Sequence, residues 1–133
     1  MSNAVQTRSS RRVFAGITVL LIIAVTGGVV LVAQAKREFA VSAKRYAFEI
    51  SGSDRPEIRV RQDDLVQITF SAEDIPHSFT VDDYRINKRA VPGRSVTFEF
   101  RADKVGTKII YCSLTNDERC RKETVGRLIV TPK

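Results

Sequence analysis

Apolar and polar positions divide this chain into two unlike parts. From Val13 to Ala35 the run VFAGITVLLIIAVTGGVVLVAQA carries no charge. Wound as a helix at 1.5 Å per residue it spans roughly 34 Å, enough for the hydrocarbon core of a bilayer. A helix buried in a soluble domain is rarely apolar on every face for that length. Residues 13–35 therefore predict one transmembrane anchor, preceded by a basic tail over 1–12. After the run the periodicity changes to two. Glu57-Ile58-Arg59-Val60-Arg61 alternates strictly, and Leu65–Phe70 repeats the pattern. Val96, Phe98 and Phe100 share one face of the next clear strand, with Thr97, Glu99 and Arg101 on the other. Phe39–Val41, Tyr46–Ile50, Ser78–Val81, Gly106–Cys112 and Gly126–Thr131 complete the series, punctuated by Ser51-Gly52-Ser53-Asp54, Pro92-Gly93 and Lys104-Val105-Gly106. No part of this region carries a sustained helical stripe. The expected architecture is an all-β Greek-key sandwich over residues 47–133. Residues 36–46, with Lys36, Arg37, Lys44 and Arg45, read as a linker.

Charge refines the picture. Arg8, Arg11 and Arg12 make up the whole charge of the tail, and every acid lies at Glu38 or beyond. The net charge is +7, with pI near 9.8. The cations are spread along alternating positions and follow an anchor, so nucleic acid is not an expected partner. An anionic membrane surface or an acidic protein suits them better, and a solvated surface explains most of them.

The tail arginines favour a cytoplasmic N-terminus, although Lys36, Arg37, Lys44 and Arg45 close behind the span weaken the asymmetry. Ser10-Arg11-Arg12-Val13-Phe14 resembles the core of a twin-arginine export signal, which would place the body outside the cytoplasm. Ala33-Gln34-Ala35 has the small-residue form of a signal-peptidase site. The apolar run exceeds an ordinary signal core, so a retained single-pass anchor in the cell membrane is expected, with the C-terminal domain periplasmic or otherwise extracytoplasmic.

Several ordered segments carry a family resemblance. Asp74-Ile75-Pro76-His77-Ser78-Phe79 resembles the first-histidine segment of cupredoxins, and Ala90-Val91-Pro92-Gly93-Arg94 with Phe98-Glu99-Phe100 the strand that follows it. Ala102-Asp103-Lys104-Val105-Gly106-Thr107, leading to Tyr111-Cys112-Ser113, is similar to the run entering the copper-ligand loop of oxidase subunit II and nitrous oxide reductase. Gly126–Val130 resembles the closing strand. The likeness covers roughly residues 57–132 and implies a cupredoxin-like fold.

That family's ligand loop reads C-x3-C-x3-H-x2-M and holds two copper ions through bridging thiolates. Here Asn116 stands where the second cysteine would be, Cys120 at the histidine position and Glu123 at the methionine position. Counting back from Gly126 shifts the last two to Arg121 and Thr124, as if the loop were one residue longer. The chain has one histidine, and its only methionine is Met1. Two histidines and a cysteine cannot be assembled within it, so a standard copper site is not expected.

From the resemblance three states of the cysteines remain open. Cys112 and Cys120 flank the place where the family's ligands converge and would form a disulfide, which an exported domain favours. Alternatively His77, Cys112 and Cys120, with Glu123, would hold one ion, a donor set better suited to Cu(I) or Zn(II) than Cu(II). Otherwise both thiols are core residues and His77 a hydrogen-bonded loop histidine. The cofactor is thus none or copper. Asp63-Asp64, Asp82-Asp83 and Asp117-Glu118 read as turn and surface acids, Tyr46, Tyr84 and Tyr111 as core or interface aromatics. No catalytic constellation stands out, and an enzyme is not expected. The resemblance implies a membrane-anchored accessory subunit of a larger respiratory or photosynthetic electron-transfer complex, acting in docking or stabilisation. The alternative is a copper-binding electron-transfer or copper-delivery protein using His77, Cys112 and Cys120.

Overall fold

The computed structural model describes Gly28 and residues 35–133. The tail over 1–12 and almost all of the anchor over 13–35 lie outside the described residues. Among the described residues no helix is long and apolar enough to cross a membrane. The chain divides into two units, Met1–Leu31 and Val32–Lys133. Every strand among the described residues belongs to the second.

That unit is a two-sheet sandwich. Its strands are β1 (Lys36–Lys44), β2 (Ala47–Ile50), β3 (Glu57–Arg61), β4 (Leu65–Ala72), β5 (His77–Val81), β6 (Ile86–Ala90), β7 (Val96–Arg101), β8 (Gly106–Tyr111) and β9 (Val125–Thr131), with a 3-10 turn at Asp82–Tyr84 and one short α-helix among the described residues, α1 (Glu118–Glu123). One sheet has the order β2-β1-β4-β7, the other β3-β9-β8-β5-β6. The chain changes sheet after β2, β3, β4, β6 and β7, so most neighbours in space are distant in sequence.

Alternation in each strand sets which side chains meet. In the first sheet Phe39, Val41 and Ala43 of β1 lie beside Ile68, Phe70 and Ala72 of β4, and Val66, Ile68 and Phe70 pair in turn with Phe100, Phe98 and Val96 of β7. In the second, Ile58 and Val60 of β3 match Leu128 and Val130 of β9. The two inner faces close on a chain of rings in which Phe48, Phe70, Phe79 and Phe98 contact one another with centroids 5.5–6.1 Å apart. Rings at such separations in tilted or edge geometry gain beyond area burial alone.

Three segments depart from the sequence reading. Residues 36–46 are no linker, because 36–44 form β1, a strand of nine residues paired to β4 in parallel and to β2 antiparallel. Its cations gather at its two ends, while Phe39, Val41 and Ala43 between them face the core. β6 went unmarked since Asn87, Lys88 and Arg89 separate its apolar ends. α1 has six residues, too few to show a helical period.

Candidate functional site

The site lies at the end of the sandwich reached by β1 as it finishes at Lys44. Every residue of β5 is buried. His77, Phe79 and Val81 alternate with Ser78 and Thr80, and the latter pair tie down the loop that follows β8. The Ser113 amide donates to Ser78 Oγ at 2.6 Å, and Thr80 Oγ1 donates to Ser113 Oγ at 2.8 Å.

From that anchor the loop closes upon itself. Cys112 and Cys120 are joined in a disulfide, their Cα atoms 5.5 Å apart, and both are fully buried. Asp117 caps α1, its Oδ1 accepting from the Cys120 amide at 3.0 Å; a side-chain cap of this kind satisfies one of the orphan donors of a helix start. Arg121 Nη1 donates to the carbonyls of Leu114 and Thr115 at 2.8 and 2.7 Å. The Cys112 amide meets the Thr124 carbonyl at 3.2 Å, which brings the two ends of the loop together.

His77 is fully buried at the start of β5. Its Nδ1 lies 2.9 Å from the Ile75 carbonyl; a carbonyl only accepts, so Nδ1 carries the proton. Nε2 is buried without a hydrogen-bond partner, an arrangement that ordinarily costs free energy. Tyr46 meets the imidazole edge-on, centroids 5.9 Å apart. Arg119 also packs on Tyr46, its guanidinium carbon 4.3 Å from the ring centre. Glu123 holds Arg119 through two hydrogen bonds of 2.9 and 3.0 Å.

Tyr46 reaches this position from a demanding turn. Arg45 and Tyr46 both have positive φ, 47° and 66°, as a two-residue hairpin of type I′ requires. Asn-Gly is the favoured pair there, and other residues cost about 1–2 kcal/mol each in the left-handed region. Asp74 steadies the turn, its carboxylate accepting from the amides of Arg45 and Ile75, both at 2.9 Å.

Charges follow these contacts. Burial pushes the Tyr46 phenol upward, and the Asp117 carboxylate adds to the shift. Arg119 holds Glu123 below the ordinary carboxylate range through its hydrogen bonds and charge. Burial would raise Asp74, but the amides of Ile75 and Arg45 keep it low.

Of the residues singled out by sequence, His77, Cys112 and Cys120 lie buried in this end of the sandwich, while Glu123 faces solvent on α1. As a metal centre the set does not fit. Both sulfurs are spent on each other, a disulfide is no thiolate ligand, and Glu123 is taken by Arg119. Among the described residues no group of three His, Cys, Asp or Glu is arranged to hold an ion. Of these four residues, His77 alone has a buried polar atom, Nε2, without a hydrogen-bond partner. Arg119 is absent from the sequence reading, where Tyr46, Asp117 and Arg121 stand only as a core or interface aromatic, a turn or surface acid and an alternative loop position. The cap signature, Asp117 with Glu118 in the first turn and Arg121 and Lys122 in the last, could have disclosed α1 and two of them.

The fold and this end of it define a cupredoxin-like domain. A cytochrome c oxidase subunit 2 from Thermostichus vulcanus is 35% identical over 68 residues, 51% of this chain and 20% of that protein. This chain thus spans about a fifth of the length of the curated relative it matches. Among solved structures, the periplasmic domain of cytochrome oxidase subunit II (CoxB) of Bradyrhizobium japonicum superposes with TM-score 0.63 at 16% identity, covering 75% of this chain and 87% of that one. A heme-copper terminal oxidase dimer gives 0.65 at 19%, over 74% and 65% of the two chains. Auracyanin A, a "blue" copper protein of Chloroflexus aurantiacus, gives 0.58 at 15%, over 73% and 100%. No protein-family profile matches the chain. The fold is cupredoxin-like and related to that of oxidase subunit II.

Proposed function

We infer that this chain is a membrane-anchored cupredoxin-like accessory subunit of a membrane respiratory or photosynthetic electron-transfer complex, acting in docking or stabilisation without a standard copper site. One observation carries the reading: the loop that corresponds to the copper-ligand loop is held closed by its own groups, the Cys112–Cys120 bond, the Asp117 cap and the Arg121 clamp. A loop so fastened keeps its shape with no ion to organise it. The relation to oxidase subunit II supports a place beside a larger membrane complex. In this reading residues 13–35 span the bilayer with the N-terminus cytoplasmic, and the domain sits in an oxidising extracytoplasmic space, where a disulfide persists.

The second reading is a copper-binding electron-transfer or copper-delivery protein using His77, Cys112 and Cys120, in which the two cysteines serve as thiolates only with their disulfide reduced. The buried, unpartnered Nε2 of His77 is the observation in its favour. One preparation of the full chain in detergent separates the two. The accessory reading expects no stoichiometric metal, no free thiols, a mass about 2 Da below that of the dithiol, and co-purification with a large membrane complex. Stoichiometric copper that is lost in His77→Ala would overturn it in favour of the second.

A further inference from the structure

Tyr46 is bracketed by α1. Arg119 covers its ring, Glu123 locks Arg119, and the capping Asp117 bears on its phenol. The ring also meets His77 edge-on, the one buried side chain among the described residues with an unpartnered polar atom. α1 itself has six residues, and a helix of that length has little stability of its own. Besides the Asp117 cap and the buried side chains of Cys120 and Thr124, the ties that hold it are exposed hydrogen bonds and ion pairs, which count for little in water, together with one covalent bond. That bond is made by Cys120, between Arg119 and Arg121.

We propose that Tyr46 and α1 form a lid over the imidazole of His77, latched by the Cys112–Cys120 disulfide, and that reduction of this bond by a dithiol opens it. In that step the Sγ–Sγ bond breaks and each sulfur gains an electron and a proton to become a thiol. The two thiols of the reductant supply those electrons and protons and become its disulfide. With the latch open α1 frays, Arg119 leaves the Tyr46 ring, and the left-handed turn at Arg45-Tyr46 no longer holds the ring against His77. Nε2 is then reachable from solvent. Access to His77 is independent of the accessory role, whatever the domain docks with.

His77 is the chain's only histidine, so its carbethoxylation by diethyl pyrocarbonate, followed by the absorbance of the modified imidazole, reads the lid directly. The full chain in detergent is treated oxidised and after reduction with dithiothreitol, with thiols counted and near-ultraviolet circular dichroism recorded in both. The oxidised protein should react far more slowly than N-acetylhistidine, and reduction should raise its rate about tenfold, the scale of a local opening. Arg119→Ala and Tyr46→Ala, which keep the disulfide, should react faster than the parent protein without reductant. An unchanged rate in a reduced, folded protein with two titratable thiols overturns the latch. Unchanged rates in both variants overturn the lid.

Discussion

Cys112 leaves the end of β8 and Cys120 sits in the middle of α1, yet their Cα atoms are 5.5 Å apart and their sulfurs bonded. The pair closes a short loop whose remaining ties are the Asp117 cap within it, the Arg121 clamp and the bonds of Ser113 to Ser78 and Thr80 of β5. In the chain-entropy account, closing a loop of this size stabilises by roughly 2–3 kcal/mol. Cys112→Ser with Cys120→Ser should therefore lower the urea midpoint by that equivalent, and reductant should shift the parent protein similarly. Equal midpoints with and without the bond would show that the loop adds nothing to global stability.

Gly126 leaves no room for a side chain. A Cβ there would stand 2.8 Å from the Pro56 carbonyl oxygen, and that oxygen already accepts from the Arg127 amide at 2.8 Å. Backbone on both sides cannot yield freely, so Gly126→Ala should destabilise by about 1–3 kcal/mol in chemical denaturation. Gly52→Ala meets no atom within 4 Å but has φ of +80°. It should lose only about 1 kcal/mol, from conformation alone.

Phe70 is fully buried and touches both Phe48 and Phe79. Phe70→Ala should cost about 3–5 kcal/mol through lost contacts and the cavity left behind. Ile109 is 53% exposed, and Ile109→Ala should stay within about 0.5 kcal/mol of the parent. The contrast is read from paired urea transitions.

Glu57 is buried at the start of β3 and paired with Arg59, at 2.9 Å, and with Arg127. Burial alone would raise its pKa, but the Arg59 hydrogen bond and the charges of Arg127, Arg59 and Arg55 bring it below the ordinary 4.5. Asp63 is likewise lowered, by its hydrogen bond to Lys133 and by Arg101, and Asp83 by Lys108. A carboxyl depressed in the folded state adds stability that is complete above its unfolded pKa and disappears as pH falls through the folded one. The domain should accordingly lose stability as pH drops below about 4.5. In Glu57→Gln part of that dependence should vanish, seen as a flatter plot of urea midpoint against pH.

Much of the fold was legible because strand signals are local. β3, β4 and β7 alternate so regularly that neighbours one and two positions away suffice to identify them. Only Phe39–Val41 of β1 is legible, since the four cations around it look like a solvated connector until β4 supplies a partner 29 residues further on, Lys36 beside Leu65. The resemblance to cupredoxins drew attention to His77, Cys112, Cys120 and Glu123, and three of those four do lie buried at one end of the sandwich. Tyr46 reads in the sequence only as a core or interface aromatic because its significance is relational, arising only where the β1–β2 turn and α1 meet.

By itself the sequence determined where most of the strands form, that one uncharged run stands before them, and that two histidines of this chain are not available to one ion. Those properties depend on residue type and spacing, which are present before the chain folds. Only the tertiary structure decided that Cys112 bonds Cys120, that Glu123 is committed to Arg119, and that Arg119 covers the ring packed against His77. Each of these joins groups that a periodicity cannot relate, since their distances depend on how nine strands cross between two sheets.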